Sequence, residues 1–125
     1  MSFVYRVQDG SGRGPYRPGF SHLWTDVTHA LRNPTYFAEL GWEPSEMADK
    51  FATYEKGGCG FRTLEQLRRW FSEAERARLN ARGYSIVRMK VDRILAESDR
   101  QLVFARKTPL KQNVIVVSWL QQEAV

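Results

Sequence analysis

The fold of this chain is decided by residues 63–91, TLEQLRRWFSEAERARLNARGYSIVRMKV. Two capping boxes stand in it: Thr63 is followed three residues later by a glutamine, and Ser72 three residues later by a glutamate. Each predicts the start of a helix, because the paired side chains satisfy backbone N–H groups that a helix leaves without partners. Gly83 predicts the end of the second helix, and the β-branched run after it predicts a strand over 84–91.

Apolar spacing extends this prediction along the chain. The first capped helix is expected to bury Leu64, Leu67 and Phe71. Upstream, residues 3–7 predict a short strand and residues 59–62 another. Downstream, the segments 101–105 and 113–119 predict two more. A further helix is predicted to open at Trp42, with an apolar stripe of Met47, Phe51 and Tyr54, and to stop at Gly57-Gly58.

The order of these elements indicates the fold class. A strand, then helices, then further strands with irregular joints is typical of α+β rather than of a doubly wound sheet. We therefore predict one domain over residues 1–125, with a small antiparallel or mixed sheet and helices between the first and later strands. The length of 125 residues suits a single core.

Composition excludes several protein classes. A hydrophobic fraction of 42% with 26% charged residues is that of a globular protein. No apolar run approaches the length of a membrane span and no leader opens the chain, so cytoplasmic residence is the expectation. Cys59 is the single cysteine, which excludes an intramolecular disulfide, and His22 and His29 lack a third ligand nearby, so no metal site is predicted.

The net charge of +5, with a pI of about 9.7, favours an anionic partner. Nucleic acid, a phosphorylated small molecule and an acidic protein all fit, and a charge of this size also serves solubility alone. The two capped helices carry a cluster of arginines that predicts a basic face for a nucleic-acid backbone: Arg68, Arg69, Arg76 and Arg78. Under this alternative the chain is a non-enzymatic binding module, such as a small phage or mobile-element inhibitor.

The loop after the first strand, QDGSGRGPYRPG at residues 8–19, is glycine-rich without being a standard phosphate loop. A P-loop requires Lys and then Ser or Thr after its last glycine, and a dinucleotide fingerprint requires a helix to open there. Here prolines follow, and they disfavour a helix. An anion would therefore be held by backbone amides and by Arg13 and Arg17. The alternative is a flexible loop with solvated arginines.

Three segments, in order, resemble the ADP-ribosyltransferase-like fold, which includes bacterial toxins and the poly(ADP-ribose) polymerase catalytic domain. VYRV is similar to the family's opening strand, which implies that Arg6 lies at an NAD pocket. GGCGFRTLEQLRRWF is similar to a glycine–Phe–x–Thr strand end with its following helix. This places Phe61 and Thr63 beside the nicotinamide, with Arg62 where an aromatic residue is common. ESDRQLVFARKTPLKQNVIVV is similar to the late strand that carries the catalytic glutamate.

The resemblance implies NAD as substrate, and either mono-ADP-ribosyl transfer or NAD glycohydrolysis. Arg6, Arg13 and Arg17 would hold the pyrophosphate, while Tyr5 and Phe61 would pack on a ring of the dinucleotide. The catalytic glutamate aligns with Gln101, whose amide can hydrogen-bond a ribose hydroxyl but supplies no negative charge. On a strand, Asp99 would share the face of Gln101 and supply that charge. Otherwise the domain binds without catalysing.

Overall fold

In the part of the chain that the structure describes, two consecutive helices stand between the second and third strands and the sheets are antiparallel, which confirms the predicted α+β fold class. The computed structural model describes residues 2–16, 19–26, 29, 51–52 and 54–119. In chain order, the elements are β1 (Ser2–Gln8), a 3-10 turn (Ser21–Leu23), β2 (Lys56–Gly60), α1 (Leu64–Trp70), α2 (Glu73–Ala81), β3 (Ser85–Val91), β4 (Arg93–Glu97), β5 (Leu102–Arg106) and β6 (Ile115–Val117).

Both capping boxes form as the sequence predicts. The Thr63 hydroxyl accepts a hydrogen bond from the backbone N–H of Gln66 at 3.1 Å, and the Gln66 side chain accepts one from the backbone of Thr63 at 3.2 Å. At α2 the Ser72 hydroxyl accepts from the backbone N–H of Glu75 at 3.2 Å, and the Glu75 carboxylate accepts from the Ser72 backbone at 2.9 Å. Local chemistry therefore fixes where each helix begins.

In the described residues the strands form two antiparallel sheets of three strands each. The first has the order β1-β3-β6 and the second β2-β5-β4. A two-residue bridge joins them: the N–H of Tyr5 donates to the carbonyl of Phe61, and the N–H of Phe61 to the carbonyl of Tyr5, each at 2.8 Å. This bridge holds the end of β2 against the middle of β1, which is where the candidate site lies.

Both faces of the first sheet are buried in part. One face packs against the helices in a cluster that includes Val7, Leu67 and Ile86, and the other packs against the second sheet through Val4, Met89 and Phe104, among others. Leu64, Leu67 and Phe71 are all buried, as predicted from their spacing. β3 accordingly carries apolar residues on both faces, with Ile86 toward the helices and Val87 and Met89 toward the second sheet.

The structure differs from the prediction in the second sheet. The β4 strand was not predicted, because its residues are half-buried without alternation and its pairing with β5 shifts register between Ile94 and Ala96. β2 begins at Lys56, so that Gly57 and Gly58 pair within a strand instead of stopping a helix. Residues 42–50 of the helix predicted to open at Trp42 lie outside the described residues, and Phe51 and Tyr54, which were predicted to belong to it, are not helical. In the described part of the chain, no helix has the length and apolar character needed to cross a membrane.

Candidate functional site

A cavity of about 540 Å³ opens beside the bridge between the two sheets, and its volume is typical of a small-molecule site. Its lining comes from five parts of the chain that the fold brings together. These are Arg6 and Val7 of β1, residues 13–16 of the following loop, Gly58, Cys59 and Phe61 at the end of β2, Trp70 and Phe71 at the end of α1, and Gln101 before β5.

Arg6 forms the polar centre of this lining. Its side chain is buried, with 9% of its surface exposed, and it donates from Nε to Gln8 Oε1 at 3.0 Å. Its Nη1 donates to the carbonyl of Cys59 at 2.8 Å and its Nη2 to the carbonyl of Gly12 at 3.3 Å. Burial lowers the pKa of Arg6 from its ordinary value, although a guanidinium stays charged at neutral pH. The fold therefore fixes a buried positive charge at the cavity wall.

None of the carboxylates in the described residues forms an ion pair with Arg6. Its three hydrogen-bond acceptors are neutral; against the effect of burial, Cys59 and, less strongly, Asp9 raise its pKa by longer-range electrostatic interactions. The carboxylate of Asp9 instead pairs with Arg13, at 3.3 Å between Oδ2 and Nε. A buried cation held only by neutral groups favours an anion in the adjoining space.

Glycine at position 58 lets the guanidinium of Arg6 lie against β2. A β-carbon added at Gly58 would stand 2.7 Å from Nη1 of Arg6 and 3.2 Å from the ring of Phe104. The same atom added at Gly14 would stand 3.3 Å from Nη2 of Arg6. Two of the sequence's many glycines therefore make room for this one side chain.

The loop that carries Arg13 is ordered by its own hydrogen bonds. Asp9 accepts from the backbone of Ser11 at 2.9 Å and of Arg13 at 3.0 Å, and from the Ser11 hydroxyl at 2.7 Å. Partial burial acts to raise the pKa of Asp9, but these hydrogen bonds outweigh it and the pKa lies below its ordinary value. Gly12 takes a φ of +88°, which favours glycine. Arg13 lines the cavity, and Arg17 lies outside the described residues.

The other predicted dinucleotide contacts divide into two groups. Phe61 lines the cavity and packs in an aromatic wall, with its ring centroid 5.8 Å from that of Trp70 and 6.0 Å from that of Phe71. Tyr5 and Thr63 are not part of the described lining. Tyr5 contributes the backbone bridge to Phe61, and Thr63 caps α1.

Gln101 and Asp99 do not lie on one strand face. β5 begins only at Leu102, and residues 98–101 form a turn in which the N–H of Ser98 donates to the carbonyl of Gln101 at 2.9 Å. Gln101 is 5% exposed and lines the main cavity. Asp99 is exposed and lines a separate cavity of about 220 Å³, and Trp70 contributes to both linings. The expectation of a shared strand face is wrong because the strand starts later than predicted.

The four helix arginines do not form one solvated face. Arg78 pairs with Asp26 and donates to the carbonyl of Trp24 at 2.9 Å, and Arg69 pairs with Glu65. Burial, and secondarily the charge of Arg68, lowers the pKa of Arg76 from its ordinary value. Two of the four charges are therefore neutralised by carboxylates.

Sequence reasoning missed a second polar cluster at the cavity. The hydroxyl of Tyr16, which lines the cavity, lies 2.8 Å from Nε2 of His29, and Nδ1 of His29 lies 2.8 Å from Glu75 Oε2. The capping box was the only sequence pattern that involved Glu75. Because it already explains a glutamate at this position, it gave no reason to expect the contact with His29. Among the described residues, no group of three or more His, Cys, Asp and Glu side chains could hold a metal ion.

Comparison with known proteins identifies the family of the chain. A protein-family profile described as bacteriophage T4 Y00F protein matches residues 1–117. No curated protein and no solved structure shows significant similarity to the chain.

Proposed function

We propose that this chain, which belongs to the bacteriophage T4 Y00F protein family, is an ADP-ribosyltransferase-like domain whose cavity binds NAD or ADP-ribose. Arg6 carries the proposal: a buried guanidinium with neutral protein acceptors lies at the wall of a 540 Å³ cavity. The reaction would be mono-ADP-ribosyl transfer or NAD glycohydrolysis. Either one would begin with departure of the nicotinamide.

A diphosphate suits the charge of the cavity. A guanidinium has five N–H donors, and the described protein contacts of Arg6 engage one on each of its three nitrogens. One further N–H group remains on Nη1 and one on Nη2, which is the number needed to bind two oxygens of a phosphate. Arginine binds phosphate best in this two-point arrangement. Arg13, whose side chain is 63% exposed, would supply a second cation at the rim.

An aromatic wall suits a nicotinamide or adenine ring. Phe61, Trp70 and Phe71 pack edge-to-face or tilted against one another, and all three line the cavity. Planar rings bury a large apolar area against such a wall at small entropic cost. Gln101, at the same cavity, would hydrogen-bond a ribose hydroxyl through its amide.

Calorimetric titration with NAD and with ADP-ribose tests the proposal directly. We expect dissociation constants in the micromolar range, about −8 kcal/mol, and a modest dependence on salt. Nicotinamide release is followed in parallel by chromatography. Absence of heat with both ligands at millimolar concentration would overturn the proposal.

Substitution Gln101→Glu is expected to accelerate nicotinamide release. An introduced carboxylate would stabilise the developing positive charge on the ribose, an effect worth about 10²–10³ in rate when such a group is well placed. Arg6 lines the same cavity, and its charge favours the ionised form of the new carboxyl. The measurement is the single-turnover rate of nicotinamide formation under saturating NAD.

The matched control is Asp99→Asn, which changes a carboxylate in the separate smaller cavity. We expect it to leave the rate unchanged. If Gln101→Glu is no faster than the parent while it still binds NAD, Gln101 does not face the reacting ribose.

One observation favours a second candidate function, binding of single-stranded nucleic acid. Phe3 is 41% exposed, the guanidinium carbon of Arg88 lies 4.3 Å from its ring centroid, and the ammonium of Lys90 lies 5.5 Å from it. We call these three side chains the Phe3 surface. In the described residues neither cation has an ion-paired carboxylate, and Arg88 Nε is buried without a hydrogen-bond partner. Aromatic rings beside unneutralised cations suit stacked bases and their phosphates.

We predict that the Phe3 surface contributes more to the affinity for single-stranded nucleic acid than the helix arginines do. Replacing Arg88 and Lys90 together by glutamate should weaken binding of a fluorescent oligo(dT) at least tenfold and lower the salt slope by about 1.4, since each phosphate contact contributes about 0.7 on single strands. The matched control is Arg69→Glu, in a side chain already paired with Glu65. Equal losses in both variants, or complete competition by polyglutamate at equal charge, would contradict a nucleic-acid surface at Phe3.

A further inference from the structure

A hydrogen-bonded relay runs from a buried carboxylate to a hydroxyl at the main cavity. Glu75 is fully buried, His29 is 6% exposed and Tyr16 is 46% exposed. Glu75 Oε2 lies 2.8 Å from Nδ1 of His29, and Nε2 of His29 lies 2.8 Å from the Tyr16 hydroxyl. Exposure therefore rises stepwise along the three side chains toward the space that Arg6 and Gln101 also line.

The surroundings of Glu75 decide which nitrogen of His29 carries the proton. Its Oε1 accepts from the backbone N–H of Ser72 at 2.9 Å, and its Oε2 accepts from the backbone N–H of Asp26 at 2.8 Å. Backbone donors on both oxygens favour the ionised carboxylate. Nδ1 of His29 must then donate to it, which leaves Nε2 of the neutral ring as an acceptor.

The hydroxyl of Tyr16 therefore donates its proton to Nε2 of His29. Its oxygen in turn accepts a hydrogen bond from Nε1 of Trp70 at 2.7 Å, and an indole N–H can only donate. If the proton moves to His29, the Tyr16 phenolate still accepts a hydrogen bond from the indole N–H and now accepts a second one from the imidazolium. The imidazolium still donates to Glu75. Every group in the relay is thus oriented to stabilise the product of that proton transfer.

A purely architectural role does not account for this arrangement. Asp26 already ties the segment before His29 to α2, because it pairs with Arg78 and accepts from the Ser72 hydroxyl. In the relay each hydrogen bond runs in the same sense, from Tyr16 at the cavity to His29 and from His29 to Glu75. It combines a hydroxyl, a base and a group that orients the base, which is the combination that activates nucleophiles in enzymes.

We propose that Tyr16 is a nucleophile, with His29 as its general base and Glu75 as the residue that positions His29. The identity of its electrophile rests on the proposed function: the anomeric carbon of the nicotinamide ribose. The phenolic oxygen forms a bond to that carbon while the carbon–nitrogen bond to nicotinamide breaks. Neutral nicotinamide leaves with the bonding electrons, and the phenolic proton goes to His29 and then to solvent. The chain would carry the ADP-ribosyl group on Tyr16.

The first arm of the test needs no nucleotide. An aryl sulfonyl fluoride is attacked by a phenol oxygen, with fluoride leaving and the proton passing to a base, and the labelled tyrosine is identified by peptide mapping. Tyr54, 62% exposed, serves as the internal reference. We expect Tyr16 to react at least tenfold faster than Tyr54, since general bases contribute about 10²–10⁴ in favourable sites. Equal rates would overturn the proposal.

Two variants show whether the relay causes this reactivity. His29→Gln and Glu75→Gln are each expected to return Tyr16 to the rate of Tyr54, and the second retains an oxygen for the capping box of α2. Tyr16→Phe keeps the ring that lies 5.2 Å from Trp24 and should fold normally while losing the label at this position. Fast labelling that persists in both glutamine variants would show that His29 is not the base.

The second arm is incubation with NAD followed by intact-mass and peptide analysis. An ADP-ribosyl adduct on Tyr16, absent from Tyr16→Phe, supports the proposal in full. Bound NAD with no adduct at Tyr16 overturns the transfer step. If NAD does not bind but Tyr16 labels rapidly and depends on His29, the proposed function fails and the activated tyrosine stands.

Discussion

Replacing Arg6 with alanine is expected to abolish binding of NAD and ADP-ribose and to lower the free energy of unfolding by about 3 kcal/mol. The substitution removes the buried cation at the cavity wall and leaves three acceptors without their donor: the side chain of Gln8 and the carbonyls of Cys59 and Gly12. Urea denaturation measures the stability, and calorimetry measures the binding.

Arg6→Lys separates the two effects. Lysine retains the positive charge but is a point donor that cannot span acceptors on both strands and the loop, so we expect a folded protein with binding weakened about tenfold or more. Gly58→Ala is the complementary variant, because its β-carbon would stand 2.7 Å from Nη1 and displace the guanidinium without removing it. If either folded variant binds NAD like the parent, the diphosphate does not lie on Arg6.

Local chemistry made the helical part of the fold predictable from sequence. Thr63 and Ser72 each form capping hydrogen bonds with a residue three positions later, so the start of each helix can be predicted without knowing the tertiary contacts. The long strands β1 and β3 were predictable from their local sequence too, since each has β-branched or aromatic residues at its centre.

The second sheet was less predictable because tertiary contacts define it. Gly57 and Gly58 are poor strand formers, yet they pair with Ala105 and Phe104. Neighbouring side chains occupy the space that a β-carbon would need at these two positions, so tertiary contacts require glycine there. β4 shifts register partway along and has no alternating pattern to detect. Both strands exist because β5 is fully buried and offers two edges to pair with.

The candidate site was predictable from sequence in part. The glycine-rich loop singled out Arg13, and the resemblance singled out Arg6, Phe61 and Gln101; the structure brings all four to one cavity, and their binding of NAD stays a prediction. The relay was not predictable, because His29 and Glu75 are distant in sequence and meet only when α2 packs on the segment after the first loop. A capping glutamate and an isolated histidine each have an ordinary explanation alone.

Replacing Glu75 with alanine is expected to lower the free energy of unfolding by about 4 kcal/mol. It leaves three buried donors without an acceptor: the N–H of Ser72, the N–H of Asp26 and Nδ1 of His29. It also opens a cavity beneath α2, since Glu75 is fully buried. For a domain of this size the melting temperature should fall by about 10–20 °C.

Two matched variants show whether those hydrogen bonds are the cause. Glu75→Gln retains the volume and the oxygen that caps α2 but turns an NH₂ group toward two donors, so an intermediate loss of about 2 kcal/mol is expected. Glu73→Ala removes an exposed acid from the same first turn and should cost under about 1 kcal/mol, through the helix dipole alone. A loss of stability that decreases from Glu75→Ala through Glu75→Gln to Glu73→Ala follows only if the carboxylate accepts from all three donors. If Glu75→Ala and Glu73→Ala melt together, Glu75 holds neither His29 nor Asp26, and Tyr16 has no oriented base.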